Sequence, residues 1–236
     1  MVSTVIKNWD NKNWLSSNNY IKSFNNFLIK NIKLNSNSKI LDIGCGRGKI
    51  LGSLSSKLKL KNKPLGIDVI NHKDKDNRIN FKKIDAKYFF SKNKNQFDLI
   101  LIKQTIHLLD LNTIKKLNFL SKKNLSKNGK IFIFTLDTYQ NELPTFKLMK
   151  TKLEKSLDRD KKILEFISNL YPRRLKNKFI YKVKILKKKY LEMIEERYIS
   201  ILLSLNNQQI SIGLKEINSK YKRTIRFKDK LTCIIL

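Results

Sequence analysis

Apolar residues follow strand-like and helical patterns in turn through the first 136 residues. Short apolar runs bounded by polar or turn-forming residues predict β-strands at 39–43, 64–68, 79–84, 97–102 and 130–136. Apolar positions at helical spacing predict helices at 18–32, 49–60 and 111–125. Because strands joined through helices pair in parallel by right-handed crossovers, this part of the chain predicts a doubly wound α/β sheet.

The last ninety residues continue with a different order of elements. Their pattern predicts a helix at 146–170, a strand at 179–186, a helix at 188–205 and a strand pair or one bent strand at 224–236. Pro172 blocks any continuation of the first of these helices. Asn206 and Gln209 form a capping-box pattern that begins a further helix. The tail therefore predicts two more strands for the sheet, with a helical pair between them.

Composition is that of a single globular domain. The chain has 236 residues, of which 41% are hydrophobic and 30% charged. The sequence contains no run of about eighteen apolar residues, so it predicts no membrane span. The first ten residues lack the apolar region of a secretory signal. The two cysteines have no metal-ligand spacing. These features predict a cytoplasmic protein without a metal site.

The net charge of +32 raises nucleic acid as a partner. Only 8 of the 51 basic residues are arginine, the side chain that reads phosphates and guanine bidentately. The excess is +17 over residues 1–146 and +15 over 147–236, so it forms no local cluster along the sequence. Lysine also accompanies abundant asparagine and isoleucine, as an AT-rich genome would produce. The charge is interpreted mainly as a solvated surface, with nucleic acid the less favoured partner.

The most informative segment is ILDIGCGRGKIL, at 40–51. A buried strand carries Asp42 near its end, and a turn with glycine at 44, 46 and 48 leads into a helix. Glycine lets the backbone turn tightly and approach a ligand, and the N-terminus of the next helix suits a ligand carboxylate. The spacing departs from the G-x-G-x-x-G of dinucleotide-binding proteins because position 49 is lysine, and no G-K-S/T phosphate loop is present.

This segment resembles motif I of class I S-adenosylmethionine (SAM) dependent methyltransferases, and the strands over about residues 18–136 resemble that family's order. The resemblance implies a seven-stranded, mostly parallel sheet with helices on both faces and a small helical cap, and conversion of SAM to S-adenosylhomocysteine (SAH). It implies that Asp68 accepts both ribose hydroxyls, and that Asp85 and the N–H of Ala86 recognise adenine. The residues implied for cofactor binding are Asp42, Gly44, Cys45, Gly46, Gly48, Asp68, Val69, Asp85, Ala86, Lys103 and Gln104.

The segment after the fourth strand, 103–109, bears on the methyl acceptor. It lacks the N/D-P-P-Y/F element of amino-methylating nucleic-acid enzymes and the Pro-Cys pair of cytosine-C5 enzymes. It resembles small-molecule enzymes of the methyltransferase type 11 family, which implies a small-molecule acceptor; RNA is the alternative that the charge favours. His107 is either a general base or a histidine packed at a strand–helix junction. His72 is expected to be solvated.

The tail also resembles the C-terminal elaboration of some type 11 members, in which helices close over the acceptor. One domain, 1–236, is expected, with an N-terminal lid or helix at 1–35, a SAM-binding core at 36–146 and strands with a helical cap at 147–236. Trp9 is a further lid candidate, and core packing is the alternative role of Tyr198. A SAM-binding module without turnover is a third hypothesis. The candidate acceptor-site residues are Trp14, Tyr20, His107, Tyr171, Arg173, Arg197 and Tyr198.

Overall fold

A seven-stranded sheet organises residues 13–236, the part of the chain that a computed structural model describes; Trp9 lies outside it. The sheet order is β3-β2-β1-β4-β5-β7-β6. The first five strands are parallel, and β7 is antiparallel to both of its neighbours. The predicted mostly parallel sheet is therefore confirmed. Its strands are β1 (Ile40–Ile43), β2 (Leu65–Asp68), β3 (Asn80–Lys83), β4 (Phe97–Lys103), β5 (Leu125–Leu136), β6 (Leu175–Leu186) and β7 (Thr224–Ile235).

Helices cover both faces of this sheet. Alternate residues of β4 point to opposite layers, so that Leu99 and Leu101 face one apolar core while Ile100 and Ile102 face the other. The first layer contains α1, α2, α6 and α7, the second contains α3 and α4, and α5 contributes to both. The helices are α1 (Asn18–Asn31), α2 (Lys49–Leu58), α3 (Ala86–Lys92), α4 (Leu111–Lys123), α5 (Lys147–Leu170), α6 (Lys187–Glu195) and α7 (Asn207–Lys220).

The single helix predicted at 188–205 is wrong, because the chain breaks it at Arg197. That residue has a φ of 53°, in the left-handed region, and the Tyr198 N–H donates to the Met193 carbonyl at 3.0 Å. This is the geometry that closes helix C-termini, usually with glycine. A short 3₁₀ helix, Ser200–Leu202, follows. The predicted capping box at Asn206 and Gln209 is confirmed at the start of α7.

Some other elements differ from the sequence prediction. The helix α3 was not predicted; it begins after Asp85, whose carboxylate accepts from the N–H groups of Lys87 and Tyr88 at 2.9 and 3.1 Å. The strands predicted at 130–136 and 179–186 begin earlier, at Leu125 and Leu175. Of the two alternatives predicted for 224–236, the region forms one strand and not a strand pair. Within residues 13–236, no helix combines the length and apolarity needed to cross a bilayer.

Candidate active site

A glycine turn lies at the carboxyl edge of the sheet, between β1 and α2. Gly44, Gly46 and Gly48 have φ values of 71°, 56° and 72°, which L side chains rarely adopt. The N–H groups of Gly44 and Cys45 both donate to the Ile67 carbonyl, at 2.9 and 3.1 Å. The turn is thereby tied to the end of β2, and its backbone conformation explains the glycine spacing of the sequence.

Asp68, the last residue of β2, supports the same turn. Its Oδ2 accepts from the Gly46 N–H at 2.9 Å, and its Oδ1 accepts from the Ile70 N–H at 2.9 Å. Val69, between them, is 58% exposed, which leaves an apolar side chain at the crevice. Asp85 lies just beyond the neighbouring β3, where both of its cap hydrogen bonds end on Oδ1. Acids therefore stand at adjacent strand ends, as predicted.

A buried charge cluster lies beside the turn. Burial raises the pKa of Asp42 to about 8. The charge of Lys103 opposes this rise, and the charge of Asp68 adds to it. Burial lowers the pKa of Lys103 to about 8, although Asp229 and Asp42 oppose this shift. The Lys103 ammonium donates to Gln104 Oε1 at 3.0 Å and lies 5.5 Å from the ring centroid of Tyr20. Lys103 thus interacts electrostatically with one acid from each half of the chain, Asp42 and Asp229.

Asp229, on β7, belongs to this cluster, although it is not among the residues predicted from the sequence. It is 2% exposed, and its Oδ2 accepts from the Trp14 indole N–H at 2.8 Å. Burial raises its pKa, while the Trp14 hydrogen bond and Lys103 oppose the rise. A signal was present in the sequence: Asp229 interrupts an alternating series of core-facing apolar positions, between Phe227 and Leu231.

The structure brings three predicted acceptor-site aromatics together around Asp229. The Trp14 ring packs edge-on against Tyr198 with centroids 5.5 Å apart, and the Tyr198 hydroxyl lies 2.9 Å from that of Tyr190. Tyr20 is fully buried, and its hydroxyl has no hydrogen-bond partner within residues 13–236. These side chains form a wall of the core at the carboxyl edge. A direct contact between them and an acceptor stays a prediction.

A cavity of about 130 Å³ opens beside the ends of β4 and β5. Gln104 and His107 line it from the β4 side, Asp160 from α5, and Arg197 from the break after α6. Gln104 and Arg197 both have left-handed backbone conformations, with φ of 52° and 53°. Strained residues of this kind are concentrated at functional sites, which favours this cavity as a ligand pocket.

His107 and Asp160 are the pocket's two titratable groups with shifted pKa values. Burial, and then the charge of Arg159, lower the pKa of His107 to about 4. Burial raises the pKa of Asp160 to about 6, with Arg159 opposing. Asp160 is 4% exposed, and its Oδ1 has no hydrogen-bond partner within residues 13–236. At neutral pH the pocket therefore holds a neutral imidazole and a largely ionised carboxylate.

The structure does not bring Tyr171 and Arg173 to this pocket, so their assignment to the acceptor site is corrected. The next residue of the sheet, Leu175, pairs with Ile235 at the end of β7, which places it at the amino edge of the parallel strands. The 24 residues of α5 rise roughly 36 Å and carry the chain there from the carboxyl edge. His72 is also corrected: it is buried, with 4% exposure.

No family model and no curated protein sequence matches the chain. Solved structures share its architecture. The plantazolicin methyltransferase BpumL, in complex with a pentazolic desmethylPZN analog and SAH, is 19% identical, with 98% of this chain and 88% of that chain covered and a TM-score of 0.55. A SAM-dependent methyltransferase from Geobacter sulfurreducens with SAH is 12% identical, covering 99% and 98%, at a TM-score of 0.56. This chain has the class I methyltransferase fold.

A third similar structure extends the comparison. The precorrin-6y C5,15-methyltransferase from Geobacter metallireducens is 11% identical, with 89% and 85% of the two chains covered and a TM-score of 0.51. At such identities the likeness establishes the fold. The methyltransferase fold predicted from the glycine turn and the strand-end acids is therefore confirmed.

Proposed function

We propose that this protein transfers the sulfonium methyl group of SAM to a small-molecule acceptor. The observation that carries the proposal is the turn of three left-handed glycines held by Asp68 at the carboxyl edge of a methyltransferase fold. In doubly wound sheets this edge is where ligands bind. Two similar proteins carry SAH in their structures, which supports the same cofactor here. We place the activity in the cytoplasm, in keeping with two free cysteines.

The residues around the turn fit the chemical groups of SAM. Asp68 would accept from the ribose hydroxyls, because each of its oxygens has a further lone pair beside the backbone N–H that it already holds. Val69 offers apolar surface to adenine, and Asp85 with the Ala86 N–H would recognise its polar edge. Bound SAM supplies an electrophilic methyl group. The methionine end would be held by the turn and strand end, at Asp42, Gly44, Cys45, Gly46, Gly48, Lys103 and Gln104.

The test is incubation of the protein with methyl-labelled SAM and the small-molecule, lipid and RNA fractions of a cell extract. We expect label to enter the small-molecule fraction, and to be lost when the Asp68→Ala variant replaces the parent. Tight SAH binding without label in any fraction would favour a SAM-binding module. An absence of SAH binding in calorimetry would contradict the proposal itself.

His107 gives a separate prediction for the acceptor found in that way. Because its pKa is about 4, the imidazole is neutral above pH 5 and too weak a base to match a working pH near 7. We expect His107→Gln to keep kcat/KM within about tenfold and to leave its profile between pH 5 and 8 unchanged. A general base contributes about 10²–10⁴-fold. A loss of that size would restore His107 as the base.

RNA is a second candidate acceptor, favoured by charges that the fold brings together. On the exposed face of the β6–β7 pair, Lys182 lies opposite Lys228 and Lys184 opposite Arg226. Like charges directly opposite each other are destabilising, and an anionic partner would relieve them. Methyl label in the RNA fraction, together with RNA binding that weakens steeply with salt, would support this alternative over the small molecule.

A further inference from the structure

The pocket beside Gln104 combines an apolar wall with one buried acid. Its apolar lining comes from the end of β5, the turn after β4, the helix α5 and the segment that follows Arg197, at Leu108, Leu136, Leu153, Ile199, Ile201 and Leu203. The volume of about 130 Å³ suits a group of roughly the size of one aromatic ring. An apolar pocket with few polar groups binds the body of a ligand through the wall and sets its orientation through those groups.

Among the polar groups that line this pocket, the Asp160 carboxylate has incomplete hydrogen bonding. Its Oδ1 has no hydrogen-bond partner within residues 13–236, and the nearest cation, Arg159 Nη2, lies 3.9 Å away on a side chain that is 57% exposed. A buried carboxylate without a good partner is costly. Since a carboxylate only accepts hydrogen bonds, the group that completes it must be a donor, and a charged donor forms the stronger bond.

Arg197 also lines the pocket, where neutral oxygens fix the position of its guanidinium. Its Nη2 donates to Asn207 Oδ1 at 2.8 Å and to the Leu205 carbonyl at 3.2 Å. The remaining titratable group of the pocket, His107, is neutral at pH 7. Asp160 is therefore the titratable lining residue, within the described chain, that has a buried polar atom without a hydrogen-bond partner.

We infer that the methyl acceptor is an amine on a small apolar body, and that Asp160 holds its nitrogen inside this pocket, as the ammonium when the amine first binds. Before transfer the ammonium gives one proton to the Asp160 carboxylate. The freed nitrogen lone pair then forms the N–CH₃ bond as the S–CH₃ bond of SAM breaks, and SAH is the leaving group. The inference rests on the proposed methyltransferase function, which it sharpens by naming the acceptor class. An alcohol would donate a hydrogen bond to Asp160 but would bring no positive charge. A carboxylic acid would repel Asp160 and leave it unpaired.

Three ligands of matched shape test this inference by binding in the presence of saturating SAH: 2-phenylethylamine, 2-phenylethanol and 3-phenylpropanoate. At pH 7.5 we expect the amine to bind at least about tenfold more tightly than either of the others, the scale of one charge-assisted hydrogen bond. Asp160→Asn should remove that preference while leaving 2-phenylethanol binding within about threefold. Asp158→Asn, an exposed position on the same helix, is the matched control and should change nothing.

The pH dependence has a definite sign. Between pH 7 and 5 Asp160, with a pKa of about 6, becomes protonated, while 2-phenylethylamine stays charged and His107, with a pKa of about 4, stays largely neutral. The other charged groups beside Asp160 are Arg159 and Arg197. Amine affinity should therefore fall roughly tenfold at pH 5. The Ser156→Phe variant fills the pocket from α5. It should weaken the binding of all three ligands, which would show that they bind in this pocket.

An amine that binds no more tightly than the alcohol, including no binding of either, would overturn the inference. So would an Asp160→Asn variant that keeps the amine preference. SAH calorimetry on the same samples separates this from failure of the proposed function. The parent and Asp160→Asn should bind SAH equally, whereas a wrong cofactor assignment would appear as an absence of SAH binding in both.

Discussion

Replacing Asp68 by alanine is expected to weaken SAH binding by about 10- to 150-fold. Asp68 would lose its hydrogen bonds to the ribose, and such bonds to a charged group are worth about 1.5–3 kcal/mol. The change also removes the acceptor of the Gly46 and Ile70 N–H groups, so the glycine turn loses its support. Titration calorimetry with SAH measures the effect directly.

Two comparisons separate these contributions. Asp68→Asn keeps one carbonyl oxygen for the turn but loses the charge, and we expect an affinity between those of the parent and the alanine variant. Asp158→Ala, at an exposed position of α5, controls for the loss of one acid from a strongly basic chain. Unchanged SAH affinity in Asp68→Ala would contradict the ribose assignment, whatever the state of the turn.

The part of the fold that the sequence predicts is the part with local signals. The glycine turn is encoded within five residues, and β1, β2 and β4 are each encoded by a short apolar run. A cap such as Asn206 with Gln209 is equally local. In these segments the backbone preference and the burial pattern agree, so neighbouring residues suffice to predict the structure.

The part of the site that could not be predicted depends on distant pairing. Trp14 and Asp229 are 215 positions apart, and no local pattern joins them. Tyr171 follows a long helix whose direction only the sheet order reveals. Lys182 and Lys228 are far apart in the sequence, yet antiparallel pairing of β6 with β7 places them directly opposite each other. Arg197 adopts a conformation that its residue type gives no reason to expect.

Replacing Asp229 by alanine is expected to lower the free energy of unfolding by about 1–3 kcal/mol, because the buried Trp14 N–H loses its acceptor. Lys103 also loses the acid whose charge most favours its ammonium form. Urea denaturation at pH 7 measures the loss, with Arg226→Ala, exposed on the same strand, as the control. Asp229→Asn keeps an oxygen for Trp14 and should cost less.

The size of this loss should depend on pH in a direction that the pKa of Lys103 sets. That pKa is about 8 in the folded protein, below its ordinary value of 10.5, so the unfolded chain binds more protons between these values and Lys103 makes stability rise with pH there. Near pH 10 the folded Lys103 is neutral and no longer needs Asp229. The Asp229→Ala loss should therefore be smaller at pH 10 than at pH 7.

A double variant decides whether charge pairing is the cause. Replacing both partners of a buried ion pair by apolar residues is often close to neutral, whereas removing one is costly. The double variant Lys103→Met with Asp229→Ala should therefore lose less free energy of unfolding at pH 7 than the two single variants lose together. If the losses simply add, the two residues act independently, and Asp229 stabilises the fold through Trp14 alone. Additivity would also leave Asp42 as the acid that holds Lys103 beside the cofactor turn.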